Sequence, residues 1–274
     1  MTLTTTSSDG TSIAYEVVGE GPVLVLVGGA TAHRALDPTG GALVELLPHL
    51  AVARYDRRGR GESGDSRTYA VAREIEDLDA VIAAVGGSAA VMGESSGAVL
   101  ALEAARHGSA ITRLAVYEPP FITDDSVPPM RGPRGTGFDE RCDALVTAGR
   151  RADAFELFMV EAAGQPAEAA AGIRHAPMWP ALEAITHTIA YDGQVMGNTQ
   201  NGDPAVLARY SVVTIPVLVM AGGDSPPHQQ RAVAELAARL PDVRLRTLPG
   251  QGHHVAPEVV APILAAFFRE DAGT

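Results

Sequence analysis

The fold of this chain turns on Val91–Ala105, VMGESSGAVLALEAA. Val91 and Met92 close a short apolar run. Gly93, Ser95 and Gly97 then spell G-x-S-x-G, and small or apolar residues, broken only by Glu103, continue to Ala105. Two readings fit: a nucleophilic serine on a sharp strand-to-helix turn, or a packed turn of small residues without chemistry. The pentapeptide alone does not separate them, so its surroundings decide.

Outward from it, short β-branched runs alternate with alanine-rich stretches, the pattern of a parallel sheet with helices on its faces. Pro22–Val27 (PVLVLV), Leu50–Asp56, Ser88–Met92, Ile111–Tyr117, Pro216–Gly222 and Val243–Leu248 read as strands. Thr11–Val18 (TSIAYEVV) alternates polar and apolar residues like an antiparallel edge strand. Val71, Ile75, Leu78, Ile82 and Val85 share one helical face, as do Val233, Leu236 and Leu240. Ser96–His107 is apolar or small almost all round, which predicts a buried helix closed by Gly108. The alternation stops between about Phe121 and Ala208. A Pro/Gly/Asp-rich loop (123–137) opens that segment, and helices are predicted around Asp139–Thr147, Asp153–Ala163 and Pro180–Tyr191. The expected division is a sheet core, 1–120 and 208–274, with a helical insertion over 121–207.

Ligands of an open parallel sheet bind outside the carboxyl ends of its strands. Gly28, Gly29 and Ala30 follow one strand and Ser95 the next; Asp224 follows Pro216–Gly222, and His253 and His254 follow Val243–Leu248. A serine, a carboxylate and a histidine therefore gather at one end of the sheet, in the order Ser…Asp…His that accompanies this elbow. Glu118, in YEPPF, is the reserve acid.

With YDRRGRGES (Tyr55–Ser63), GESSG, IPVLVMAGGDSP and LPGQGHH in this order, the chain resembles the α/β-hydrolase fold over nearly its whole length. The likeness is to esterase- or lipase-like members with a helical cap. It implies a metal-free serine hydrolase cleaving a small-molecule carboxylic ester through an acyl-enzyme. Ser95 is the implied nucleophile, His253 the base and Asp224 the acid that orients it. The N–H groups of Ser96 and Ala30 are the implied oxyanion hole. Relatives often carry His-Gly where this chain has Gly28-Gly29, so the second donor is Ala30 or Gly29. His253 follows a glycine, as the base does in the family, and His254 is left to line the pocket. Phe155, Phe158, Met159, Met178, Trp179, Tyr191 and Met196 are ordinary packing residues by spacing, and some are expected to face an apolar part of the substrate.

Composition narrows the alternatives. The net charge of −12 argues against nucleic acid or anionic membrane as a partner. All 21 basic residues are arginine, so no lysine is present for Schiff-base, pyridoxal-phosphate or P-loop chemistry. Cys142 is the single cysteine, which removes an internal disulfide and a cysteine zinc site. The remaining histidines show no ligand spacing, and no metal or cofactor is expected. MTLTTTSSDG lacks a signal-peptide pattern, so a cytoplasmic location is expected. Gly59, Gly61 and Gly64 match the dinucleotide fingerprint G-x-G-x-x-G, but Arg60 and Glu62 sit inside it, and it reads better as a structural turn. Other uses of the scaffold are carbon–carbon hydrolysis, perhydrolysis, a non-hydrolytic tailoring step, or a small-molecule receptor.

Overall fold

Side chains alternate across a β-strand, so each strand of a central sheet feeds two apolar layers. That rule holds for the central strands of the computed structural model, which describes residues 1–66, 68–128, 130 and 137–269 and has eight strands. They are β1 (Leu3–Thr6), β2 (Ser12–Val18), β3 (Val23–Val27), β4 (Ala51–Tyr55), β5 (Ala89–Glu94), β6 (Ile111–Tyr117), β7 (Val217–Gly222) and β8 (Val243–Leu248). They form one sheet in the order β1-β2-β4-β3-β5-β6-β7-β8. β1 and β2 are antiparallel to their neighbours, and every pairing from β4 to β8 is parallel.

On one face Val25, Val27, Val91, Leu114 and Val219 pack against α2 (Val71–Ala84), α3 (Ser96–Arg106) and α9 (Pro227–Ala237). On the other, Leu24, Leu26, Met92, Leu218 and Met220 meet α1 (Pro38–Leu46) and α10 (Pro257–Arg269). The helical face read from Ile75, Leu78 and Ile82 is the buried side of α2. Among the described residues, no helix is long and apolar enough to cross a membrane.

Two sequence expectations need correction. Thr11–Val18 is not the sheet edge: Leu3–Thr6 pairs outside it, in register Leu3↔Tyr15 to Thr6↔Ser12. Three consecutive threonines, β-branched but polar, suit a short exposed edge strand and leave no apolar alternation to detect. The expected long helix over Pro180–Tyr191 is broken into α7 (Trp179–Ile185), a 3₁₀ turn (Thr186–Thr188) and α8 (Ile189–Met196). At the break, the Thr186 and Thr188 hydroxyls donate to the carbonyls of Leu182 and Ile185 and so compete with the helical ladder.

Between β6 and β7 the described residues hold helices and no strand: α4 (Phe138–Thr147), α5 (Arg151–Leu157) running into a π turn (Phe158–Ala162), α6 (Ala167–Gly172), then α7 and α8. Positions 129 and 131–136 of the Pro/Gly/Asp-rich loop lie outside the described residues. The helices of this insertion have a small core of their own, with Phe138, Cys142, Phe155, Leu182 and Ile189 at its centre. Met196, by contrast, packs into the main core.

Candidate active site

The elbow is built by what its glycines lack. A Cβ on Gly93 would lie 2.5 Å from the Gly97 carbonyl oxygen and 2.7 Å from the Ala98 Cα. One on Gly97 would collide with the Val27 carbonyl oxygen and come within 2.6 Å of that of Gly28. Hydrogen at both positions lets α3 start directly against the ends of β3 and β5. Ser95 is left at the apex with φ 52° and ψ −123°.

That backbone belongs to a group. The non-glycine residues with positive φ among the described residues are Thr31 (60°), Ser95 (52°) and Glu118 (46°). All three follow carboxyl ends of strands, at β3, β5 and β6. Such conformations cost of order 1–3 kcal/mol each and persist only where the surroundings impose them. The imposing contacts are the Ser95 N–H bound to the Tyr117 carbonyl at 2.9 Å and the Glu118 N–H bound to that of Met220 at 3.0 Å.

Ser95 and His253 are brought together: Nε2 of the imidazole lies 3.1 Å from Ser95 Oγ. The acid facing the other ring nitrogen is not the expected Asp224. Nδ1 of His253 is 2.8 Å from Glu118 Oε2, and Glu118 is 0 % exposed. Asp224 is exposed just past β7, and its contact with the histidine loop is through its backbone, N–H to the Gln251 carbonyl at 2.9 Å. What the end of β7 gives to the site is a donor: the Gly222 N–H binds Glu118 Oε1 at 2.7 Å. The one-methylene-longer glutamate just past β6 thus spans between the backbone of β7 and the ring carried beyond β8.

Burial alone would raise the Glu118 carboxyl, but hydrogen bonding, foremost from His253, together with the His253 charge outweighs it and holds the group below the ordinary carboxylate range. A carboxylate at Nδ1 places the ring proton there and leaves the Nε2 lone pair toward Ser95. The side-chain amide of Gln229, on α9, lies 3.1 Å from the same Nδ1. The histidine loop is tied down by the Tyr117 hydroxyl, which donates to the Gly252 carbonyl. His254 stands edge-on to His253 with ring centroids 5.8 Å apart. Burial and the neighbouring His253 push its pKa down.

Ser96 opens α3, where first-turn amides have no partner within the helix. Across from it, a Cβ on Gly29 would come 3.1 Å from that of Ser95, so the Gly28–Ala32 loop passes directly beside the serine. The glycine-rich turn Gly59–Gly64 is closed on itself: Gly59 N–H binds the Gly64 carbonyl at 2.9 Å, and the Arg57, Arg58 and Arg60 side chains turn inward. Among the described residues the next helix, α2, begins only at Val71, so no helix N-terminus directly follows these glycines as a pyrophosphate site requires. Among the described residues no group of three His, Cys, Asp or Glu is placed to hold a metal ion.

Glu94, the residue before the serine, faces a small cleft lined by Val27, Asp37, Leu43 and Met92. Burial, then the charge of Asp37, push its carboxyl up to about 7 against the opposing effect of His253. The folded pKa therefore exceeds the ordinary 4.5, and the stability this group contributes is full below that value and lost as pH rises through about 7. The melting-temperature difference between Glu94→Gln and the wild type should grow in favour of the variant from pH 5 to pH 8.5, by several degrees in thermal scans. A constant difference across that range would mean Glu94 ionises freely.

The residues that sequence reasoning missed lie behind the loop. Asp192, on α8, joins Arg57 (2.8 Å), Arg60 (2.7 Å) and the Ser96 hydroxyl (2.7 Å) in a buried cluster. No sequence signal marks Asp192, because its arginine partners are seen to be buried only in the folded chain.

The family model for the alpha/beta hydrolase family matches residues 24–263. An alpha/beta hydrolase from Sphaerobacter thermophilus DSM 20745 is 50% identical, with 97% of this chain and 100% of that one covered and a TM-score of 0.86. A hydrolase from Pseudomonas aeruginosa PA01 is 25% identical, with 98% of each chain covered and a TM-score of 0.70. An esterase from Rhodococcus sp. ECU1013, 21% identical with 98% of each chain covered, shares the fold at a TM-score of 0.65.

Proposed function

Because the chain belongs to the alpha/beta hydrolase family, we propose that it is a serine hydrolase cleaving small-molecule carboxylic esters, with Ser95, His253 and Glu118 as its catalytic residues. One observation carries the reading: the unbroken contact from Ser95 Oγ to His253 Nε2 (3.1 Å) and from His253 Nδ1 to Glu118 (2.8 Å). His253 takes the Ser95 proton as Oγ bonds to the ester carbonyl carbon, and the carbonyl oxygen becomes an oxyanion held by the N–H groups of Ser96 and the Gly28–Ala32 loop. Collapse of this intermediate expels the alcohol, which receives the proton from His253, and leaves an acyl-serine. Water, deprotonated by the same imidazole, then releases the acid and restores Ser95. Glu118 stays ionised throughout and stabilises the imidazolium.

The insertion acts in this reading as a cap that supplies the apolar part of the substrate site. Phe158, Met159 and Trp179 are partly buried against its core, and Leu36, a few residues beyond the Gly28–Ala32 loop, packs on the same cluster. Trp179 meets Phe155 edge-on, with centroids 5.5 Å apart. Tyr191 is occupied elsewhere, stacked on Tyr69 at 3.9 Å. An acyl or alcohol group of aliphatic or ring character fits such a wall. A panel of p-nitrophenyl esters tests the reading. Turnover is expected with a pre-steady-state burst of nitrophenol approaching one equivalent per chain, and with kcat/KM rising from acetyl to longer acyl groups. Absence of turnover across esters, with tight binding of an apolar ester analogue, would instead favour a receptor.

A further inference from the structure

The buried cluster around Asp192 contains two guanidinium groups, from Arg57 and Arg60, and two carboxylates, from Glu74 and Asp192. All four are at most 5 % exposed. Arg57 is forked onto Glu74 of α2 at 2.7 and 2.8 Å, and Arg60 Nε reaches the Thr188 hydroxyl at 3.1 Å. Asp192 is the member that bridges the others. Its Oδ1 accepts from the Ser96 hydroxyl (2.7 Å) and from Arg57 Nη1 (2.8 Å), and its Oδ2 accepts from Arg60 Nη2 (2.7 Å).

Each arginine then reaches on to the loop beside the nucleophile. Arg60 Nη1 donates to the Gly29 carbonyl at 2.6 Å and to that of Ala32 at 3.3 Å, and Arg57 Nη1 lies 3.3 Å from the Gly28 carbonyl. These carbonyls matter because a peptide group is a rigid trans plane, with C=O and the following N–H pointing opposite ways. Holding the Gly29 oxygen toward Arg60 aims the Ala30 N–H away from it, and holding the Gly28 oxygen does the same for the Gly29 N–H. Hydrogen bonding to a carbonyl also polarises its peptide and strengthens the N–H on the far side. The third ligand of Asp192, the Ser96 hydroxyl, belongs to the residue that supplies the other amide.

We propose that Asp192 is a positioning residue for the oxyanion hole: one carboxylate from the insertion, acting through Arg57, Arg60 and the Ser96 hydroxyl, fixes the direction of the amides on both sides of Ser95. The inference rests on the serine-hydrolase reading and adds a condition to it. The seating of α8 on the sheet core is then required for turnover as well as for the shape of the substrate site. The negative charge is essential, because an amide at this position leaves an uncompensated guanidinium in a buried place and cannot accept from three donors with two oxygens.

Asp192→Asn and Ser96→Ala test this, with active sites counted by fluorophosphonate labelling carried to its endpoint. Asp192→Asn is expected to label to the same final extent as wild type. Its labelling rate and its kcat per labelled site should both fall by about 10²–10³-fold with KM changed little, as for loss of an oxyanion donor. Ser96→Ala keeps every charge of the cluster and should lose about tenfold in kcat per site, a modest fraction of that effect. It decides the matter if Asp192→Asn does not fold. A merely structural role for Asp192 gives fewer labelled sites with unchanged kcat per site, and that result, or an unchanged Ser96→Ala should Asp192→Asn be unfolded, overturns the inference. A wild type that never labels overturns the serine-hydrolase reading and the inference with it. A wild type that labels beside a fully active Asp192→Asn overturns the inference alone.

Discussion

Ser95→Ala will lower kcat for ester hydrolysis by about 10⁶-fold while leaving the fold intact. The size follows from what remains. Without Oγ no acyl-enzyme forms, His253 has no proton to take, and what is left is binding plus the oxyanion amides, which in other serine hydrolases retain about 10³–10⁴ over water. The fold is spared because the Ser95 hydroxyl bonds to His253, whose side chain is 39 % exposed on a surface loop. The strained φ of 52° is imposed by the backbone bonds of the elbow and is the same for alanine. Circular dichroism and a melting temperature within about a degree of wild type should accompany the lost turnover. Retention of a tenth of wild-type kcat would remove Ser95 from the mechanism.

Glu118→Gln will lower kcat by up to about 10⁴-fold, and Asp224→Asn will leave it within about twofold. The carboxylate uses both oxygens, Oε1 for the Gly222 N–H and Oε2 for the His253 ring N–H. Glutamine has one acceptor and one NH₂ group. It must either set that NH₂ against the Gly222 N–H or present it to Nδ1. The second choice moves the ring proton to Nε2, the nitrogen that has to receive the proton from Ser95. Because Glu118 is held below the ordinary carboxylate range, the substitution also removes a full negative charge at neutral pH. Asp224, exposed and touching the histidine loop through its backbone alone, offers nothing comparable. Steady-state kinetics on both variants check the assignment; the reverse pattern would restore Asp224 as the acid.

Chain order favours Asp224 as the acid, whereas Glu118 is the carboxylate that meets the His253 ring. Glu118 and Asp224 each stand just past the end of a strand and each precede prolines, in YEPPF and DSPP, so chain order alone favours the later one. The choice is made by geometry that no spacing encodes: Gly222 turns its N–H toward β6, and Asp224 turns outward. The elbow was legible because glycine at 93 and 97 is demanded by close backbone contacts, which leave a fixed five-residue signature. The central strands β3 and β7 were legible as continuous apolar runs, since burial on both faces removes alternation. β1 was not, being four residues long and mostly threonine. Asp192 left no trace at all. It lies 135 and 132 positions from Arg57 and Arg60, and an aspartate in a helix otherwise reads as a solvated face.

The central claim is that Ser95 is activated by His253 and Glu118, and labelling with a broad fluorophosphonate, mapped by peptide mass spectrometry, tests it most directly. Phosphonylation of Ser95 in the wild type is predicted, at a rate that falls steeply in Glu118→Gln and is unaffected in Asp224→Asn, with no adduct in Ser95→Ala. A folded wild type that takes up no label, or takes it up at a residue other than Ser95, would contradict the account.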